Sequence, residues 1–290
     1  MTKRKINLVL KEIKAILGEN NASVELREVT KNNGVVLHGV TIRFKDSSMI
    51  VPTLYIENYD EKKTSREIAK EIIADNAMAL ENSNEIAKID PEIFMDFNGF
   101  VKSHICYRLV NKKANKELLK TVPHRDFLDL AIIYVVQITD EASMKVTFQN
   151  ADIWNVTEQE LFNLATENTP RLFPAYIRSM FDTMLEKMEI AREDAIALEI
   201  QNSGQIVVTN EQCLNGATTM LYPNVIENLY EKYGNFALLP SSINEVIIFP
   251  MNENIDPDEL TQMVKEVNQQ CVSMEEILSD HAYIYNGEWK

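Results

Sequence analysis

Apolar positions recur at helical spacing at the start of the chain, where Ile6, Val9, Leu10, Ile13, Ile16 and Leu17 form one stripe ending at Gly18. That period predicts an amphipathic helix with glycine at its C-terminal cap. The pattern then changes. SVELREV and GVVLHGVTIRF flank KNNG, and Asn33-Gly34 is a strong hairpin signal. MIVPTLYIENY reads as a further strand. A second helix opens with a capping box, Thr64 reciprocated by Glu67, and carries Ile68, Ile72 and Ile73 on one face. The less regular stretch NSNEIAKIDPEIFMDFNGF interrupts the pattern. Residues 1–98 are therefore expected to form an N-terminal α/β-hairpin domain, and residues 99–290 an α+β domain.

The second part has a rhythm. FVKSHICYRLV predicts a strand, NKELL a short helix, and LAIIYVVQI with MKVTFQ a strand pair. A helix starts at the Thr157 to Glu160 capping box and runs to Pro170. IVVTN, GATTMLY and the helix NVIENLYEKY, stopped by Gly234, repeat the order. FALLP, EVIIFP and a helix capped by Asp256-Pro257, running to about Asn268, repeat it again. Successive β-β-α units predict an α+β fold of antiparallel strand pairs with covering helices. The chain closes with a capping box at Ser273 and Glu276 and a short aromatic strand. One helix departs from the rhythm: FPAYIRSMFDTMLEKMEIAREDAIALEI spaces Met180, Met184 and Met188 by four, beside Ile177, Phe181 and Leu185. It suits core packing, or a protein partner, because methionine adapts to irregular surfaces.

Composition narrows the function. The 290 residues are 45% hydrophobic and 25% charged, enough to bury a sizeable core. The net charge is −15, a field that repels phosphate backbones and argues against nucleic-acid binding through a basic face. Cys106, Cys213 and Cys271 are odd in number and far apart, as expected of thiols in a reducing compartment. Lys11, Glu12 and Lys14 interrupt the N-terminal apolar residues, so no signal-peptide core forms, and no run approaches a membrane span. A cytoplasmic protein without a membrane partner is expected.

Glycine is scarce, and the phosphate-loop, dinucleotide, zincin, C-x-x-C and nucleophile-elbow motifs are absent. His124-Arg125-Asp126 matches the opening of a kinase catalytic loop. Its neighbours exclude that chemistry: Phe127 follows the aspartate, and Ala131 stands where a magnesium-binding asparagine belongs. His38, His104, His124 and His281 lack ligand spacing, so neither a metal nor a cofactor is expected. In LLPSSINEVIIFP, Ser241 and Ser242 sit in a tight connection between strands, where hydroxyls favour a turn. The leading expectation is a non-catalytic binding or interaction protein that takes a small anionic ligand in a polar cleft. His124, Arg125, Asp126, Arg171, Ser241, Ser242, Asn244, Asp280 and His281 are the candidate lining residues. Arg125 and Arg171 would supply bidentate contacts to a carboxylate or phosphate. Two alternatives stand beside it: a hydrolase with Ser241 or Ser242 as nucleophile and His124 or His281 as base, and partner binding through the Met-rich helix.

PTLYIENY, ICYRLVN, NKELLKTVPHRDFLDLA, LATENTPRLFP, LPSSINEVIIFP and MVKEVNQQCVSMEEILSDHAYIY, taken in order, resemble a bacterial domain-of-unknown-function family, number 5688. The resemblance covers most of the chain and implies no activity. It implies a histidine where this chain has Asn244, a departure that weakens the hydrolase alternative and leaves ligand binding open.

Overall fold

The structure is a computed structural model that describes residues 1–18, 21–45, 51–82, 91–139, 142–188, 204–251 and 256–290. Its contacts divide the chain into two compact units, Met1–Ile93 and Phe94–Lys290.

In the N-terminal unit the apolar stripe forms helix α1, Lys3–Leu17, with Ile6, Val9 and Ile13 buried. Gly18 ends it at φ 78°, which a side chain would strain. Strands β1 (Ala22–Thr30), β2 (Val36–Phe44) and β3 (Thr53–Tyr55) make an antiparallel sheet in that order. The turn is wider than Asn33-Gly34 alone implies. Thr30 pairs with Val36, and Lys31 N–H closes a five-residue loop on the Val35 carbonyl at 2.7 Å. Both Asn33 (φ 57°) and Gly34 (φ 71°) nevertheless take the left-handed conformation, which glycine adopts freely for want of a Cβ and asparagine tolerates. MIVPTLYIENY supplies only β3 before the chain coils at Ile56–Asn58. Helix α2, Ser65–Asn82, opens at the expected box: Thr64 N–H donates to the Glu67 carboxylate at 2.8 Å, and Glu67 N–H to the Thr64 hydroxyl at 3.3 Å. Its Ile68 and Ile72 close the core over Val40 and Ile42.

The C-terminal unit is α+β, with two antiparallel sheets. Strands β4 (Ile105–Asn111), β5 (His124–Phe127) and β6 (Leu130–Gln137) pair in the order β4-β6-β5, and β7 (Ser143–Lys145) joins the far end of β6. Every residue of β6 is buried, which accounts for its unbroken apolar run. Helices α3 (Lys116–Leu119), α4 (Phe148–Trp154) and α5 (Glu158–Leu172) follow within this half. The second sheet runs β12-β10-β11-β9-β8, built from β8 (Ala175–Ser179), β9 (Ile206–Asn210), β10 (Phe236–Leu239), β11 (Val246–Pro250) and β12 (Tyr283–Tyr285). Helices α6 (Met180–Met188), α7 (Val225–Tyr233) and α8 (Pro257–Gln270) belong to this half. Tyr107, Leu130 and Tyr134 of the first sheet share one core with Phe236, Leu238 and Ile248 of the second. Each large side chain fully buried there contributes roughly 1.5–3 kcal/mol.

In the C-terminal unit four of the predicted segments differ from the sequence expectation. FPAYIRS begins as β8, because Tyr176 and Ile177 extend to pair with β9. It thereby supplies the strand expected of GATTMLY, which is instead a 3-10 helix, Gly216–Leu221. MKVTFQ yields only β7, since Thr147 and Asn150 form a capping box that starts α4. Residues 97–104 coil helically before β4, with Asp96 capping the Asn98 and Gly99 N–H groups. Of the Met-rich helix, Met180 is half-buried; the side chains of Met184 and Met188, and residues 189–203, lie outside the described residues. Among those described, no helix is long and apolar enough to cross a membrane.

Candidate functional site

β4 is an edge strand, and α5 covers its open backbone. Tyr107 N–H donates to the Thr169 hydroxyl at 3.1 Å, while the Asn168 amide donates to the Lys102 and Ile105 carbonyls at 2.9 and 3.1 Å. Strand alternation turns Tyr107 into the shared core and puts Cys106 and Arg108 on the opposite face. Where β4 and β6 approach β9 and the loop after it, a cavity of about 150 Å³ remains. Cys106, Arg108, Gln137, Asn210, Asn215 and Thr218 line it, with Tyr107, Thr169, Phe173 and Leu214 completing the wall.

Most of that lining is polar and buried, Asn210, Thr169 and Thr218 being at most 3% exposed. Arg108 is partly buried. Its Nη2 reaches the Gln137 side-chain oxygen at 3.4 Å, a long contact, and no carboxylate pairs with it among the described residues. Loss of water lowers its pKa from the ordinary arginine value. Burial pushes the Cys106 thiol up to about 11, although Thr169, Arg108 and Arg171 all pull it down. Cys106 is thus a thiol at neutral pH and no nucleophile. The buried Tyr107 hydroxyl has no hydrogen-bond partner among the described residues.

The far wall is held with little freedom. The Asn210 side chain donates to the Leu214 carbonyl at 2.9 Å and accepts its N–H at 3.3 Å. Cys213 (φ 54°) and Asn215 (φ 52°) are both left-handed, and Gly216 is crowded. A Cβ there would lie 2.0 Å from the Thr209 hydroxyl and 2.4 Å from the Asn244 carbonyl. Asn244 braces this loop from behind. It accepts the Asn215 N–H at 3.1 Å, donates to Glu276 at 3.1 Å, and its carbonyl accepts the Thr209 hydroxyl at 2.7 Å.

The residues singled out in the sequence distribute as follows. Arg125 forms a bidentate pair with Glu158 at 3.1 and 2.9 Å, donates to Gln159 at 2.7 Å, and lies over the Phe162 ring at 3.9 Å. The Glu158 bond raises its pKa, and Tyr134 donates to the same carboxylate. Asp126 pairs with Lys112 at 2.6 Å, and the His124 ring sits 3.0 Å from the Val122 carbonyl. Arg171 donates to the Ser103 carbonyl at 2.6 Å and to Asn168 at 3.2 Å, at the end of α5 near Cys106. Ser241 and Ser242 are buried; the Ser242 hydroxyl accepts the Asn244 N–H at 3.0 Å. Asp280 accepts from Asn268 at 2.8 Å, and His281 lies 3.4 Å from Asp129. Asn244 alone touches the cavity wall through its loop. No hydrogen bond joins Ser241 or Ser242 to His124 or His281, and no group of three metal-ligating side chains occurs, among the described residues.

Sequence reasoning missed Arg108, Gln137, Asn210, Asn215 and Thr218. One signal was present: an arginine inside ICYRLV, a strand otherwise apolar around it, where a charge is costly without a partner.

The fold and this cavity define an α+β protein with a small polar chamber between two antiparallel sheets. The chain belongs to a family of unknown function, DUF5688, whose model matches residues 4–287. No curated protein and no solved structure matches it.

Proposed function

We propose that the C-terminal unit is a binding module for a small anion, a carboxylate in first place, held in the cavity beside Arg108. The observation that carries this reading is a desolvated guanidinium without a carboxylate partner among the described residues. A charge in such a place destabilises the fold unless something completes it, and a planar fork suits a carboxylate. Amide and hydroxyl groups of Gln137, Asn210, Asn215 and Thr218 around it provide further polar contacts. The cavity volume matches that of engineered cavities that hold a single benzene ring, about six heavy atoms. The ligand is therefore the size of a short mono- or dicarboxylate, or of inorganic phosphate. The protonated state of the Cys106 thiol, and the lack of a hydrogen bond from Ser241 or Ser242 to His124 or His281 among the described residues, favour binding over covalent catalysis.

The test is a thermal-shift panel of acetate, succinate, benzoate and inorganic phosphate at matched ionic strength, run on the wild type and on Arg108→Met. At about a hundred times its dissociation constant a ligand stabilises by roughly 2.7 kcal/mol. At least one probe should raise the wild-type melting temperature and leave Arg108→Met unmoved. Equal shifts in both proteins, or none in either, would refute the reading.

A further inference from the structure

A second cavity of the C-terminal unit is an open groove of about 600 Å³ at the tip of the β5–β6 hairpin. Lys112, Lys113, Lys116 and Lys120 stand along it, with Leu119 and Leu128 among its apolar walls. On a chain of net charge −15 this is a local reversal of sign. Lys112 is paired with Asp126 and Lys120 with Glu117, each at 2.6 Å. Lys113 and Lys116 have no ion pair among the described residues.

Two features make the groove more than a solvated face. Asp129 also lines it, but its oxygens accept from the Ser279 hydroxyl at 2.9 Å and from Tyr283, with His281 at 3.4 Å. Its carboxylate is thereby committed to the C-terminal segment and does not answer the lysines. Leu128 occupies the first position of the two-residue hairpin loop at φ 53°, a conformation that a bulky side chain rarely adopts, and its side chain is 40% exposed. A strained residue that holds an apolar group out beside unpaired ammonium groups marks an outlier of the kind found at binding sites.

We infer that this groove docks an acidic peptide segment of a protein partner, with an aliphatic side chain of that segment seated against Leu119 and Leu128 and its carboxylates on Lys113 and Lys116. Charge complementarity fixes the sign of the occupant. The overall negative field opposes a long polyanion such as nucleic acid and tolerates a short acidic segment with an apolar anchor. This site is separate from the Arg108 cavity, and the two share no lining residue.

The experiment is fluorescence anisotropy of the full chain with a labelled peptide of alternating Glu-Glu-Leu triplets. A Glu-Glu-Ser version, a single-stranded oligonucleotide and phosphatidylserine vesicles serve as comparison probes. The Glu-Glu-Leu peptide should bind, weaken as salt rises, and lose at least tenfold in affinity against the double variant Lys113→Glu, Lys116→Glu. Leu128→Gly, which removes the apolar wall and relieves the backbone, should lose several-fold while folding normally by circular dichroism. The Glu-Glu-Ser version should bind several-fold more weakly. The inference is overturned by undiminished binding in the double variant, or by no peptide binding at low salt. Preferential binding of the oligonucleotide or vesicles, or self-association abolished by the lysine substitutions, would also overturn it.

Discussion

Arg125 and Arg108 lie on strands of the same sheet and have opposite fates. Arg125 has two bonds to Glu158, one to Gln159 and a ring beneath it. Arg108 has one long contact to an amide and no carboxylate among the described residues. The first is a solved problem of folding, with the charge only partly desolvated and answered within the chain. The second is a charge that the described residues leave open beside a polar chamber. A cation thus reports function less by its motif than by whether the fold has already supplied its counter-charge.

That contrast can be broken or sharpened by substitution. The largest effect belongs to the chamber wall: Gly216→Ala forces a methyl group onto the Thr209 hydroxyl and the Asn244 carbonyl. It should cost about 3 kcal/mol or more in urea unfolding. Glu158→Ala comes next, because it strands Arg125 and the buried Tyr134 hydroxyl together. A loss of about 2–3 kcal/mol, or about 5–10 °C in melting temperature, is expected. Arg108→Met should behave oppositely, changing stability by less than about 1 kcal/mol and in the stabilising direction, because an unanswered charge is removed. If Arg108→Met destabilised as much as Glu158→Ala, the two arginines would be alike and the contrast would be lost.

The smallest effect is alkaline. The folded Cys106 thiol titrates at about 11 against an ordinary value of 9.0, so folding favours the protonated form. Its contribution is complete below pH 9 and is lost as pH rises through about 11. Unfolding free energy should decline across that window, and Cys106→Ala should flatten part of the slope.

Much of the fold was legible because its signals are local. The α1 stripe, the boxes at Thr64 and Thr157, the Gly234 stop and the apolar β6 run all carry their explanation within a few residues. GATTMLY was misleading for a tertiary reason. Its β-branched residues suit a strand, yet left-handed Asn215 and crowded Gly216 turn the chain, and the Thr218 hydroxyl donates back to the Asn215 carbonyl. FPAYIRS looked helical from the methionines beyond it, and only pairing with β9 makes it a strand.

The site was less legible. His124-Arg125-Asp126 attracted notice as a motif, and its members answer a glutamate, a lysine and a carbonyl. Asn244 was expected to line a ligand cleft and instead braces the chamber from behind. Arg108 sat unremarked in a strand, because the lack of a counter-charge is a property of space and not of spacing.

The central claim is that Arg108 is held open for an anion and Arg125 is not. Its most direct test follows the arginine Nε–H resonances by two-dimensional NMR while succinate or inorganic phosphate is added at constant ionic strength. The Arg108 and Arg125 signals are assigned by their loss in Arg108→Met and Arg125→Lys. The account predicts that the Arg108 resonance moves saturably with at least one probe while that of Arg125 stays in place. An Arg108 signal that ignores both probes, or that drifts together with every other arginine, would contradict it.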